Sequence, residues 1–315
     1  MMEEWIKNFR QQFDAPLEVA GDIPKRSRFV VVGMGGSNLA SGLLKLLAPD
    51  LDIWAHRDYG LPEIGSKVLE DSLIILNSYS GNTEEVIDAF NVASERGLAV
   101  VAISVGGELL RLAKARGVPY IQLPDLGLQP RAALGLSARA LALLMGVNIF
   151  SGISFDPGSL EGDGKKLAKR LAGKTPVVYA SRRNFPLAYA WKATINETAK
   201  IPAFCNSFPE VNHNEMSGFD AVDATRGLSD KFHFIFLKDG TDDARIIKRM
   251  ELTQSIFRDR GFGVETVDLA GSTAVDRVFS SLTLCAWISY HLAKNYGVSS
   301  EDLVLVEEFK KKMAQ

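Results

Sequence analysis

Short runs of β-branched and other apolar residues alternate with amphipathic stretches of helical period from one end of this chain to the other. "RFVVVG" (residues 28–33) reads as a buried strand, and "NLASGLLKLLA" after it as a helix. "LDIWAH" and "DSLIILN" are a second and a third strand, and "EEVIDAFNVASERG" is a helix closed by Gly97 in the C-terminal glycine position. "LAVVAISV" and a short "YIQLP" complete this series. Glycine, serine and proline then become dense in "SGISFDPGSLEGDG" (residues 151–164), and the alternation begins again. "TPVVYA", "FHFIFLKD" and "GVETVDL" are its strands. "NFPLAYAWKATINETAK", "DDARIIKRMELTQSIFRDRG" and a long apolar stretch over about residues 272–295 are its helices. Strands separated by helices need crossover connections, which are right-handed, so the sheet is parallel and covered on both faces. The expected fold class is α/β, with two doubly wound parallel-sheet domains, residues 1–150 and 151–315, and helices at both chain ends.

Composition removes several function classes. The formal net charge of the 315 residues is -2, with charges mixed along the chain, so no basic footprint for nucleic acid is present. No apolar run reaches about 18 residues, and a membrane span is not expected. The start, "MMEEWIKNFRQQF", lacks the apolar core of a signal peptide. Cys205 and Cys285 form no CxxC pair, as expected of a reduced, cytoplasmic protein. There is no HExxH and the four histidines are scattered, so no metal site is expected.

Two loops stand where an open α/β sheet binds ligands. "GMGGSN" (residues 33–38) follows the first strand and opens a helix, presenting backbone N–H groups to an anion. It imitates the dinucleotide fingerprint GxGxxG, but Asn38 replaces the third glycine. Gly35 and Gly36 are the positions where the backbone itself would approach a ligand. The second loop, in "LIILNSYSGNTEEVIDAF", supplies the hydroxyls of Ser78, Ser80 and Thr83, and the helix after it adds its positive end. Any one of these serines could be a cap or turn residue. Together with Ser37 they make two hydroxyl-bearing loops at the carboxyl ends of neighbouring strands. Neutral donors of this kind suit a single phosphate monoester on a small molecule, and the lysine of a nucleotide-triphosphate loop is missing.

"GMGGSNLA", "NSYSGNTEE" and "LQPRAALG" (residues 128–135), in this order, resemble the first sugar-isomerase (SIS) domain of the bifunctional phosphoglucose/phosphomannose isomerase family. "NETAKIPAF" and "PEVNHNEMSGF" resemble its second. The resemblance implies two flavodoxin-like SIS domains, a homodimer and no cofactor. It implies interconversion of glucose 6-phosphate and mannose 6-phosphate with fructose 6-phosphate through a cis-enediol. The hydroxyl turn would then grip the sugar's phosphate.

The same resemblance suggests who does the chemistry. Glu197, in the final turn of a predicted helix, would be the base at C1 and C2; Glu210 and Glu215, which flank His213, are its rivals and read as loop or capping groups. His213 would open the sugar ring. It alone of the histidines sits in a polar loop, whereas His233 lies inside "KFHFIF" and is expected to be packed, and His56 and His291 could be structural. Arg131 would place a permanent cation near the enediolate or phosphate. Lys294 matches the family's lysine near the end of the last long helix. In the implied dimer His213 reaches the neighbouring subunit's site, so each site is shared. The alternatives are an isomerase of narrower or different sugar specificity, such as one for an aminosugar phosphate, a non-catalytic phosphosugar sensor, and a nicotinamide-linked oxidoreductase. A sensor usually accompanies a DNA-binding segment, and none of that size and charge precedes residue 28.

Overall fold

A computed structural model describes residues 2–313 as two units. One comprises Asn8–Ser154 with Thr273–Val275. Among the described residues, the other comprises Phe155–Ser272, residues 276–313, and residues 2–7.

The N-terminal helix α1 (Met2–Lys7) belongs to the second of these units, where Met2 and Ile6 pack on Trp287. The first unit runs β1 (Val19–Ala20), β2 (Arg28–Val32), α2 (Gly35–Leu47), β3 (Asp52–His56), α3 (Ser66–Glu70) and β4 (Ser72–Asn77). It continues with α4 (Glu84–Glu95), β5 (Val100–Ser104), α5 (Gly107–Ala115), β6 (Tyr120–Gln122) and α6 (Leu134–Leu144). Its strands lie in the order β1-β6-β5-β4-β2-β3, all parallel except that β1 runs antiparallel to β6 at one edge. That two-residue edge strand is too short to show a period and escapes sequence reading.

Strand alternation explains the burial. Val30, Val32, Ile74 and Leu76 share one face with Val86, Ala89 and Phe90 of α4 and Leu109 and Ala113 of α5. The alternate residues Val31, Ile75 and Val101 are equally buried, and α2 packs with α6. A strand covered on both faces reads as a continuous apolar run, which is how β2, β4 and β5 appear.

The second unit runs α7 (Glu161–Leu171), β7 (Thr175–Ser181), α8 (Phe185–Thr194), β8 (Phe204–Phe208) and α9 (Arg226–Ser229). Then follow β9 (Phe232–Lys238), α10 (Ala244–Asp259), β10 (Gly263–Asp268), α11 (Ala274–Tyr296) and α12 (Val304–Met313). Its sheet is fully parallel, ordered β10-β9-β7-β8. One face is aromatic, with Tyr179, Phe208, Phe234, Phe236, Phe257 and Phe262 in a single cluster. Each such ring contributes about 1.5–3 kcal/mol by leaving water. The strand β8 is absent from the sequence expectation: "FCNSF" is short, and its first residue, Phe204, is 52% exposed at the sheet edge. Five of the described helices, α3, α5, α6, α7 and α9, likewise lie in stretches that read only as connections or motifs.

Candidate active site

In the first sheet β2 has β3 on one side and β4 on the other, so the chain winds in opposite directions from this point and leaves a crevice beyond the strand ends. The loops after β2 and β4 fill its rim. They are pressed together hard. A Cβ on Gly33 would stand 2.8 Å from the carbonyl oxygen of Asn77, and one on Gly36 would stand 2.6 Å from the carbonyl carbon of Pro130 and 2.7 Å from the nitrogen of Arg131. Gly36 therefore brings the "QPR" motif onto the first turn of α2. Arg131 sits there in a short 3-10 turn, Pro130–Ala132, and is only 7% exposed. The Gln12 side chain fixes that turn from behind, donating to the Ala132 carbonyl at 2.8 Å and accepting from the Gly135 N–H at 3.0 Å.

Ser37 is buried and joins the two loops: its hydroxyl oxygen accepts from the Tyr79 N–H at 3.0 Å, and its carbonyl accepts from the Asn77 side chain at 2.7 Å. Ser78 is buried too, with its hydroxyl 2.7 Å from that of Thr83. Two hydroxyls in contact share one hydrogen, so the pair keeps one O–H to offer a ligand. The Gly81 N–H donates to Ser78 Oγ at 3.1 Å, and the Asn82 N–H donates to the exposed Ser80 Oγ at 3.3 Å. Thr83 occupies the N-cap position of α4 without capping it through its side chain, and α2 lacks a side-chain cap as well. Both helices thus direct uncapped N–H groups and their positive ends at this rim.

Gly81 is where the loops after β4 and β5 approach most closely. Its φ is +74°, and a Cβ there would lie 1.8 Å from the Gly106 carbonyl oxygen. The β5–α5 loop closes behind it, with Ser104 Oγ donating to the Gly106 carbonyl at 2.7 Å and the Glu108 N–H donating to Asn82 Oδ1 at 3.0 Å.

Sequence reasoning overlooked several members of this arrangement. Asn38, where a dinucleotide fold carries glycine, is buried and donates to the His56 carbonyl at 3.2 Å while its Oδ1 accepts from Arg57 Nε. Asn77 and Tyr79 are the struts between the loops. The one signal that could have found them is their place inside "NSYSGNT" itself.

The second unit carries the remaining sequence candidates. α8 ends at Thr194, and the chain goes on as a π-helical turn, Ile195–Ala199, stopped by Lys200 in the left-handed region at φ 58°. Glu197 is half-buried on this turn, and its carbonyl accepts from Lys200 Nζ. A π turn shifts the side-chain register relative to the helix that precedes it, and such turns recur at functional positions.

Both rival carboxylates are engaged by neighbours. Glu210 accepts from the Asn214 side chain at 2.8 Å. Glu215 accepts from Tyr179 Oη at 2.6 Å and from Asn206 Nδ2, which pins its loop to the strands β7 and β8. Burial pushes the Tyr179 phenol well above its ordinary pKa, with the Glu215 carboxylate adding to the rise, so it stays a donor.

His213 follows the 3-10 turn Glu210–Asn212, is exposed, and its imidazole makes no hydrogen bond or ion pair among the described residues. His233 is packed as expected, 6% exposed and 3.5 Å from Glu265, and its burial lowers its pKa. Lys294 lies in the last turn of α11 and lines a cleft of about 230 Å³ with Glu161, Lys165, Tyr290 and His291. Neither Glu197 nor His213 lines that cleft. The structure brings Ser37, Ser78, Ser80, Thr83, Gly35, Gly36 and Arg131 to one rim, whereas Glu197, His213 and Lys294 stand on three separate elements. No group of three or more His, Cys, Asp or Glu side chains that could hold a metal ion occurs among the described residues, and no described helix is long and apolar enough to cross a membrane.

Residues 160–313 match the model of the bacterial phospho-glucose isomerase C-terminal SIS domain. Over its full length the chain is 31% identical to the bifunctional phosphoglucose/phosphomannose isomerase of Caldicellulosiruptor bescii, covering 99% of that protein. Over 63% of the chain it is 32% identical to the D-glucosamine-6-phosphate 4-epimerase of Sulfolobus acidocaldarius, covering 67% of that protein. A hypothetical protein from Thermus thermophilus shares the fold, with a TM-score of 0.72 at 14% identity over 99% of this chain and 90% of that one.

Proposed function

The chain belongs to the bifunctional phosphoglucose/phosphomannose isomerase family, and on that ground we propose that it interconverts glucose 6-phosphate and mannose 6-phosphate with fructose 6-phosphate. It is an aldose–ketose isomerase of hexose phosphates. The observation that carries the reading is the meeting of the glycine loop, the hydroxyl loop and the "QPR" turn on one rim, with a shared O–H at the Ser78–Thr83 pair.

The reaction needs a ring to open and a proton to move between C1 and C2 through a cis-enediolate. Glucose and mannose 6-phosphates differ only at C2 and give the same enediol, so one base serves both. Glu197 is the base, His213 exchanges protons with the ring oxygen, and Arg131 offsets charge on the enediolate or phosphate. No step calls for a redox cofactor. For Lys294, the cleft it lines offers none of these partners, and a role in the reaction rests on family resemblance alone.

A coupled assay of the purified protein, without added metal or nucleotide, should show fructose 6-phosphate formed from both aldose phosphates. Activity on neither would end the isomerase reading; activity on one alone would end its dual form. Glucosamine 6-phosphate belongs in the same assay, because one relative is an epimerase of that sugar. Its turnover in place of the hexose phosphates would favour the aminosugar reading.

The protein works as a homodimer with shared sites in this proposal. The exposed His213 and the apolar face of α12 support it: Leu305 is 79% exposed and Phe309 61% exposed, areas that a second copy would cover. An inactive Glu197→Gln subunit mixed with an inactive His213→Ala subunit should regain activity, since a mixed dimer has one site with both defects and one with neither. Subunits are dissociated and reassociated, and mass photometry verifies the heterodimer. Verified heterodimers without recovered activity would place His213 in its own subunit's site or outside the chemistry.

A further inference from the structure

The rim described above has an outer wall that sequence reasoning did not use. Residues 57–60, between β3 and α3, are tied at both ends to the helices that open at the cradle. Arg57 Nε donates to Asn38 Oδ1 in the first turn of α2, and the Gly60 N–H donates to Asp88 Oδ2 of α4 at 2.7 Å. The strand end beneath is fixed as well, because the His56 carbonyl accepts from both the Gly33 N–H and the Asn38 side chain at 3.2 Å. The loop therefore bridges α2 and α4.

Charge makes Arg57 the informative residue of this wall. The hydroxyls of Ser78, Ser80 and Thr83 and the helix amides are neutral donors. Arg131 is a buried cation on the inner side. Around the outer wall the other charges are mostly negative: Asp58 lies in the loop itself, and Glu84, Glu85 and Asp88 of α4 face Tyr59 of the same loop. Carboxylates there repel a phosphate, so a cation on this side is needed to favour a doubly charged ligand. Asn38 Oδ1 orients the Arg57 guanidinium at the start of α2. The amide at position 38 gains a reason: a glycine there could not hold the arginine.

We propose that Arg57 is a specificity residue that selects the dianionic form of the substrate's phosphate from the outer rim of the cradle. The inference rests on the phosphate reading of the cradle, and its test separates the two. The dissociation constants of glucitol 6-phosphate, which cannot isomerise, and of inorganic phosphate are measured by calorimetry between about pH 5.5 and 7.5, across the second phosphate ionisation near pH 6. Parent, Arg57→Gln, Arg57→Lys and Ser80→Ala proteins are compared.

At the upper pH Arg57→Gln should bind both probes about tenfold more weakly, as expected for loss of one charge-assisted contact at an exposed position. At the lower pH its deficit should be smaller, because the monoanion gains less from a cation. Arg57→Lys keeps the charge but not the Nε contact to Asn38, and should retain the pH dependence. His56, whose carbonyl anchors the strand end beneath this loop, is present in every protein compared. An unchanged dissociation constant in Arg57→Gln, with Ser80→Ala weakened, overturns the role of Arg57 and leaves the cradle intact. Unchanged binding in both removes the phosphate reading and the inference together. A pH dependence lost in Arg57→Lys as well as in Arg57→Gln assigns the effect to the Asn38 contact and overturns selection by charge.

Discussion

Glu197→Gln should bind glucitol 6-phosphate as tightly as the parent and lose at least about 10²–10⁴-fold in isomerisation rate. The amide is nearly isosteric with the carboxylate, so the half-buried π turn Ile195–Ala199 has no steric reason to rearrange. What it loses is the ability to take a proton from C2 of one sugar and return it to C1. Exchange of the substrate's C2 hydrogen with solvent deuterium reads that step directly, independently of ring opening and product release. Exchange at the parent rate would exclude Glu197 as the base. Glu215 would then be a poor substitute, since both its oxygens are held by Tyr179 and Asn206, and Glu210 would become the next group to replace.

The second large effect is steric. Gly81→Ala asks a Cβ to occupy a point 1.8 Å from the Gly106 carbonyl oxygen, at a φ of +74° that L-residues rarely adopt. The contact is with backbone rather than with a side chain that could swing away. Relief requires the loops after β4 and β5 to separate, breaking the Leu109 N–H bond to the Gly81 carbonyl at 2.8 Å and the Gly81 N–H bond to Ser78 Oγ at 3.1 Å. A loss of at least about 3 kcal/mol of stability follows from the strained backbone and the broken contacts. Thermal unfolding with and without glucitol 6-phosphate checks both halves of the expectation: a lower melting temperature, and no further rise on adding the ligand. Gly35→Ala is the comparison, because its Cβ meets nothing within 4 Å and only its φ of +49° opposes the change. It should cost about 1 kcal/mol. If Gly81→Ala melted and bound like the parent, the close backbone approach would not be what shapes the cradle.

Much of the α/β fold was legible because its signals are local. The doubly buried strands β2, β4, β5, β7 and β9 are apolar runs of contiguous residues, and each carries its own evidence in a window of five to seven residues. The helices α2, α4, α10 and α11 announce themselves by period, and Gly97 by its position after the last turn of α4. The hydroxyls of Ser78, Ser80 and Thr83 could be read for the same reason, since all three stand within one turn of chain. Elements without a local signal were lost. β1 has two residues, and β8 is an edge strand whose first residue faces solvent, so neither shows the unbroken apolar run of a central strand.

What only the tertiary structure decided are the encounters between residues distant in sequence. Nothing around Gly36 says that its missing Cβ makes room for the Pro130–Arg131 backbone, and nothing around Asn38 says that it will hold Arg57. The π turn that carries Glu197 looks in sequence like ordinary helix, because one extra residue per turn is a matter of backbone hydrogen bonding and not of composition. For Lys294 a match in sequence named the residue, and only the structure shows its surroundings, a cleft lined with Glu161, Lys165, Tyr290 and His291. Periodicity is a property of neighbours along the chain, whereas a binding rim is made by close approach across a fold. Steric exclusion between backbones far apart in sequence, as at Gly36 and Gly81, leaves only a glycine as its trace.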